Sequence, residues 1–214
     1  MKKLVLFDLD GTIINNPSSE NSYILWLMRT GRLGIKQYFF ATKFIFKWIW
    51  RFKMQVFVKN KSYLSRLSVN KITQEAQHFT QTYLLSRIRP NIEKLIEQHR
   101  ANGDIIVLLT GAPEPIAKKF AAHLNITEIA STLLSHENGI FTCLPPKQHP
   151  YGYEKLTLAQ QICTKHNISI KDAVAYANSI HDQFLLNAVG TPIAVTPDRR
   201  LRKIAENKKW EIID

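Results

Sequence analysis

Lys3-Leu4-Val5-Leu6-Phe7-Asp8-Leu9-Asp10-Gly11-Thr12 decides how the rest of this chain is read. An apolar run of this kind predicts a buried strand, and it stops abruptly at two carboxylates and a glycine. In extended backbone alternate residues share a face. Asp8 and Asp10 therefore leave the strand end on the same side, while Leu9 turns back toward the core. Gly11 lets the chain turn sharply and approach a ligand closely. Two carboxylates held together repel each other unless a cation lies between them, and hard oxygen ligands suit Mg²⁺. The same residues also make an ordinary turn after a buried strand, so the later stretches must decide between the two.

Downstream of Thr12-Ile13-Ile14 the pattern changes. From Asn15 to about Arg87 there is no strand-like alternation, and few breakers beyond Pro17, Gly31 and Gly34. This predicts a helical insertion, residues 15–87, splitting an α/β core made of 1–14 and 88–214. The core resumes with a helix over 91–101 and a buried strand over 104–110, followed by a helix from Pro113 to Leu124 and a strand over 128–135. A short extended piece over 139–143 leads into a Pro-rich loop. Then come a helix over 155–165, a strand over 173–177, a helix around 181–189, a strand over 192–195, a helix over 198–208 and a last strand over 210–213. Strands alternating with helices predict an α/β fold: a Rossmann-like, mainly parallel sheet with helices on both faces. The insertion adds an all-helical cap. Ligands of such sheets sit beyond the carboxyl ends of the strands, where Asp8, Thr110 and Asn178 all fall.

Four motifs thus stand in order: Asp8-Leu9-Asp10-Gly11-Thr12, Thr110-Gly111, Gly152-Tyr153-Glu154-Lys155 and Asn178-Ser179-Ile180-His181-Asp182. Singly, Thr110 reads as a strand-end or capping residue and Lys155 as a surface lysine; the ordered set is what singles them out. It resembles the haloacid dehalogenase-like superfamily of phosphohydrolases, from residue 3 to the C-terminus with most of the insertion excluded. The nearest branch is that of phosphoserine phosphatase and the phosphatidylglycerophosphate phosphatases, which also places a helical cap after the first motif and uses Gly-x-x-Lys as its third.

The resemblance implies a Mg²⁺-dependent phosphomonoester hydrolase working through an aspartyl-phosphate. Asp8 would attack phosphorus, and Asp10 would protonate the departing oxygen and later deprotonate water. Lys155 would neutralise charge, Thr110 would donate to a phosphoryl oxygen, and Gly11, Thr110, Gly111 and Lys155 would line the phosphate. The implied metal ligands are Asp8, Asp10, Asn178 and Asp182. The fourth motif departs from the family, since Asn178 replaces its usual first acid. An amide carbonyl still binds a hard cation but carries no charge, so weaker Mg²⁺ binding is expected. His181, just before a helix, reads as a surface or capping residue.

The formal charge of +12 is unevenly placed, with a net +11 in residues 1–90. In the segment 36–53, Lys36, Lys43, Lys47 and Arg51 share one narrow arc at helical spacing, and Phe and Trp residues fill much of the rest. This resembles an interfacial helix able to touch an anionic membrane, and equally a cap helix burying a broad apolar side. It is too short in apolar run to suggest a spanning helix. No recognised nucleic-acid module is present, so no nucleic acid is expected. Cys143 and Cys163 have neither metal spacing nor framework partners, and four apolar residues before Asp8 are too few for a signal core. A cytoplasmic protein follows, at most peripheral to the inner face of a membrane. The substrate expected is a small or lipid-headgroup phosphate. Phosphoserine ranks below it, because phosphoserine phosphatases read the amino group with a glutamate soon after the first motif, where this chain has Asn15-Asn16-Pro17 and reaches Glu20 later. A degenerate, non-catalytic protein docking to a polyanion is the third reading.

Overall fold

Leu4 and Leu6 on one side, and Val5 and Phe7 on the other, are all fully buried, which places the first strand, β1 (Leu4–Phe7), in the middle of a sheet covered on both faces. The computed structural model describes residues 2–214. After β1 the chain forms α1 (Ser19–Arg29), α2 (Ile35–Phe52), α3 (Gln55–Lys59) and α4 (Val69–Phe79), the last prolonged by a π-helical turn over Thr80–Leu84 and a 3₁₀ turn over Leu85–Arg87. Then come α5 (Pro90–Ala101), β2 (Ile105–Pro113), α6 (Glu114–His123), β3 (Glu128–Thr132), a small antiparallel pair β4 (His136–Glu137) and β5 (Ile140–Phe141), and α7 (Tyr153–Lys165). The chain closes with β6 (Val174–Ala177), α8 (Gln183–Ala188), β7 (Thr191–Val195), α9 (Arg199–Lys208) and β8 (Glu211–Ile213).

Six strands form one parallel sheet in the order β3-β2-β1-β6-β7-β8. Leu6 lies opposite Val107 on one side and Ala175 on the other. Alternation along the strands builds two cores. Val5, Phe7, Leu108, Tyr176 and Ile193 face α5 and α6, and Tyr23 and Leu27 of α1 and Ile72 and Phe79 of α4 join that same cluster. Leu4, Leu6, Val107, Leu109, Ala175 and Ala194 face α7, α8 and α9. Alanines along β6 and β7 leave room for those helices to approach. The buried polar groups under the first face are satisfied: His99 bonds Asp104 through Nδ1 at 2.8 Å and the Tyr176 hydroxyl through Nε2 at 2.9 Å.

Three boundaries differ from the sequence reading. β2 runs on past Thr110 to Pro113, but its register with β3 shifts between Leu109 and Pro113, so Thr110 and Gly111 lie in the irregular stretch. β3 stops at Thr132, and residues His136–Glu137 pair with β5 instead. Helix α6 starts at Glu114, with Pro115 in its first turn.

The segment between β1 and β2 leaves and re-enters at one place. Asn15 N donates to Arg87 O at 3.2 Å, Arg89 N donates to Ile13 O at 2.9 Å, and Ile14 bridges Ile88. Within it, α1 and α4 pack on the core, whereas α2 rests on α3 and Ser62–Leu64 and fully buries only Phe44.

Candidate active site

Asp8 continues the line of β1 by donating its N–H to Tyr176 O at 3.0 Å, which fixes its side chain at the carboxyl edge of the sheet. The next residues curl at once: Gly11 N donates to Ile14 O at 2.8 Å and Ile14 N to Leu9 O at 3.0 Å. Gly11 sits at φ +82°, and a Cβ built there would lie 2.0 Å from Asn178 Nδ2. Glycine is therefore required twice, for the left-handed backbone and for the Asn178 side chain packed against it. Asn178 is held by its own strand end, its carbonyl accepting from Asp198 N at 2.9 Å, while Asp198 Oδ2 accepts from Ile180 N at 2.7 Å.

Lys155, in the first turn of α7, is buried and bridges two acids. Its Nζ donates to Asp8 Oδ1 at 2.7 Å and to Asp182 Oδ1 at 2.8 Å. One ammonium cannot neutralise two buried carboxylates. Burial pushes the Asp8 carboxyl up, to about 7; Lys155 opposes this and the Asp182 charge adds to it. Burial works against the charged form of Lys155, but Asp182 and Asp8 outweigh it and hold its pKa above the ordinary lysine value. Asp10 is fixed by Ser19, whose N–H and hydroxyl donate to its two oxygens at 2.7 and 3.1 Å. Its carboxyl is raised by burial and lowered by those bonds, with a net upward shift, as suits a proton donor.

Asp8, Asp10, Thr110, Gly111, Lys155, Asn178 and Asp182 all line one cleft of about 510 Å³. Gly11 lies beneath it, against Asn178. The Thr110 hydroxyl accepts from Ala112 N at 3.1 Å, which leaves its own hydrogen free to donate. His181 is exposed and packs at a 36° tilt against Tyr151, ring centroids 4.7 Å apart.

Among the described residues no three His, Cys, Asp or Glu side chains cluster as a metal site. The oxygens present nevertheless fit a hard cation: the Asp8 carboxylate, whose Oδ2 has only a long 3.5 Å contact from Thr12 Oγ1, and Asn178 and Asp182, which line the same cleft. The excess negative charge on Asp8 and Asp182 points the same way.

Residues 5–187 match the family model of haloacid dehalogenase-like hydrolases. The chain belongs to that family. This hydrolase is 24% identical over 221 residues to a protein named phosphoserine phosphatase SerB1 from Mycobacterium tuberculosis, covering 97% of this chain and 69% of that one. It is 24% identical over 221 residues to a histidinol-phosphatase from Neisseria meningitidis, covering 100% and 99%. A protein of unknown function from Bordetella pertussis has the same fold, with a TM-score of 0.84, 23% identity, and 100% and 98% of the two chains covered.

Several residues of the cleft escaped the motif reading. Glu20 lines it, and both its carboxylate oxygens are engaged, one by Lys61 Nζ and the other by the Tyr63 hydroxyl at 2.8 Å. Arg87 donates to Ser22 Oγ at 3.1 Å and to the carbonyls of Asn15 and Pro17, bracing the loop that carries Ser19. His149 is buried at the rim. The Thr132 hydroxyl donates to Gly111 O at 2.6 Å, so the His149 Nδ1, 2.7 Å from that hydroxyl, must be the donor between them. Burial, then Lys61 and Lys59, lower its pKa to about 3, so the ring is neutral. No spacing marks these residues; only Ser18, as a helix-capping serine ahead of α1, has a local signal.

Proposed function

We propose that this hydrolase cleaves phosphomonoesters with Mg²⁺, through an aspartyl-phosphate on Asp8. The observation that carries the reading is the buried bridge from Lys155 to Asp8 and Asp182 at the floor of the cleft. Lys155 steadies the Asp8 carboxylate, one oxygen of which attacks phosphorus while the other would face the cation. As the P–O bond to the leaving group breaks, Asp10, oriented by Ser19, gives its proton to the departing oxygen. It then takes a proton from water as that water attacks the aspartyl-phosphate and frees Asp8. Thr110 donates its hydroxyl to a phosphoryl oxygen, and Lys155 balances charge spread over the others. When bound, Mg²⁺ would be held by Asp8, the Asp10 backbone carbonyl, Asn178 and Asp182, and would supply electrostatic stabilisation of the phosphoryl oxygens.

Residues 15–87 act in this reading as a cap that supplies Glu20, Asn60 and Lys61 to the cleft wall. The substrate is a small or lipid-headgroup phosphate. Phosphoserine is the second reading, favoured by Glu20 lining the cleft and by the name of the Mycobacterium tuberculosis relative. It ranks below because Lys61 and Tyr63 already occupy the carboxylate that would read an ammonium group. Phosphate release from p-nitrophenyl phosphate with Mg²⁺, abolished by Asp8→Asn, is the expected result. Absence of release from p-nitrophenyl phosphate and from a panel including phosphoserine and histidinol phosphate would instead favour a non-catalytic protein.

A further inference from the structure

Helix α2 presents an outer face that nothing in the fold covers. Ile35, Phe46 and Trp50 are 87%, 80% and 90% exposed, with Phe39 beside them at 62%. At helical spacing these four fall on one stripe, and Lys36, Lys43, Lys47 and Arg51 form a row along one flank. Between Glu20 and Glu75 the chain holds no Asp or Glu, so no acid on this segment offsets the row. No helix among the described residues is long and apolar enough to cross a bilayer.

We propose that α2 lies in the surface of an anionic lipid bilayer, its aromatic stripe entering the headgroup boundary and its basic row pairing with lipid phosphates. Burying Ile35, Phe46 and Trp50 requires an apolar medium as well as negative charge, and the boundary of an anionic leaflet provides both. A double-stranded polyanion, its bases already stacked inside, would neutralise the lysines and leave the stripe in water. A second copy of this chain, docked antiparallel about a two-fold axis, would set one basic row against the other, and in either sense would bring no acid from this segment to pair with them. Phe57 of α3, half exposed, lines the cleft, so the segment that follows α2 leads directly to the site. The inference concerns binding alone and stands apart from the phosphatase reading.

The test is flotation of the full chain with phosphatidylcholine vesicles, with and without phosphatidylglycerol. Two variants accompany it, Phe46→Ser/Trp50→Ser and Lys43→Glu/Lys47→Glu, with circular dichroism and p-nitrophenyl phosphate turnover to verify folding. Binding is expected only with phosphatidylglycerol, weakening as salt rises. At roughly 1 kcal/mol per basic residue near an anionic surface, losing two lysines weakens binding about 30-fold, and the two glutamates that replace them weaken it further. The aromatic variant should lose flotation too. Binding that survives in the aromatic variant, or that RNA competes away, would overturn the proposal. So would a dimer dispersed by Phe46→Ser/Trp50→Ser in a protein that ignores vesicles.

Discussion

Replacing Asp8, the proposed nucleophile, with asparagine should make the metal-free protein more stable while destroying its activity. Asp8 is buried with two neighbours of its own sign and one ammonium, and its pKa stands at about 7 against an ordinary 3.8. Because the folded value lies above the unfolded one, the native state holds the extra proton between about pH 4 and 7. The stability tied to that proton is complete below the unfolded value and is lost as pH rises through the folded one. At about 1.4 kcal/mol per pKa unit, the loss approaches about 4 kcal/mol by pH 8, an upper bound because the three charges titrate together. Asp8→Asn keeps an oxygen for Lys155 and leaves that ammonium matched one to one by Asp182. In EDTA at pH 8, the variant should melt higher than the parent by several degrees, up to about 10 °C for a chain of this size. The two melting curves should converge near pH 4. The depressed carboxyls of Asp104, Glu128 and Asp198, all partly exposed, lose their stabilising effect as pH falls, but do so equally in both proteins. Mg²⁺ at pH 8 should raise the parent alone. Parallel melting temperatures from pH 4 to 8 would refute the charge argument.

Lys155→Met leaves Asp8 and Asp182 facing each other without a cation, and should cost about 3–5 kcal/mol in urea unfolding at pH 7 and nearly all turnover; an active, equally stable variant would show that the bridge is not the heart of the site. Asn178→Asp adds a charged oxygen beside Asp8, so half-maximal turnover should need several-fold less Mg²⁺, and an unchanged Mg²⁺ titration would remove Asn178 from the ligand set. Gly11→Ala forces a side chain into left-handed backbone and onto Asn178, at about 1 kcal/mol for the backbone alone, and should raise the Mg²⁺ requirement. In an Asn178→Ala background the same substitution should cost less, a coupling that a double-mutant cycle measures.

The sheet was legible because period-2 burial and the Gly and Pro punctuation are local signals. Leu4–Phe7 and the Ala-rich strand at 174–177 stood out for that reason. The end of β2 was not, because Gly111-Ala112-Pro113 looks like a turn and becomes strand only through pairing with β3. Asp8, Asp10, Lys155 and Asp182 were legible as a motif set, yet nothing in the motif says that Lys155 is buried and shared between two acids. Glu20 stood out only as a glutamate arriving late after the first motif, whereas Lys61 and His149 reach the cleft through tertiary packing across dozens of residues, and no spacing rule reports that. For α2 the wheel located the basic arc; which half of its apolar residues would be covered depended on where α3 and Ser62–Leu64 came to rest.

The pinch at Ile13–Asn15 and Arg87–Arg89 carries a consequence for how such enzymes diversify. Because both ends of the excursion are clasped to each other, a change in its length leaves the register of β1 untouched, and the entropy of closing a longer or shorter excursion grows just logarithmically. The parts free to vary are those that rest neither on the core nor on Asp10, above all α2 and α3. Helices α1 and α4 share the core cluster and Ser19 holds Asp10, so these stay tied to the sheet.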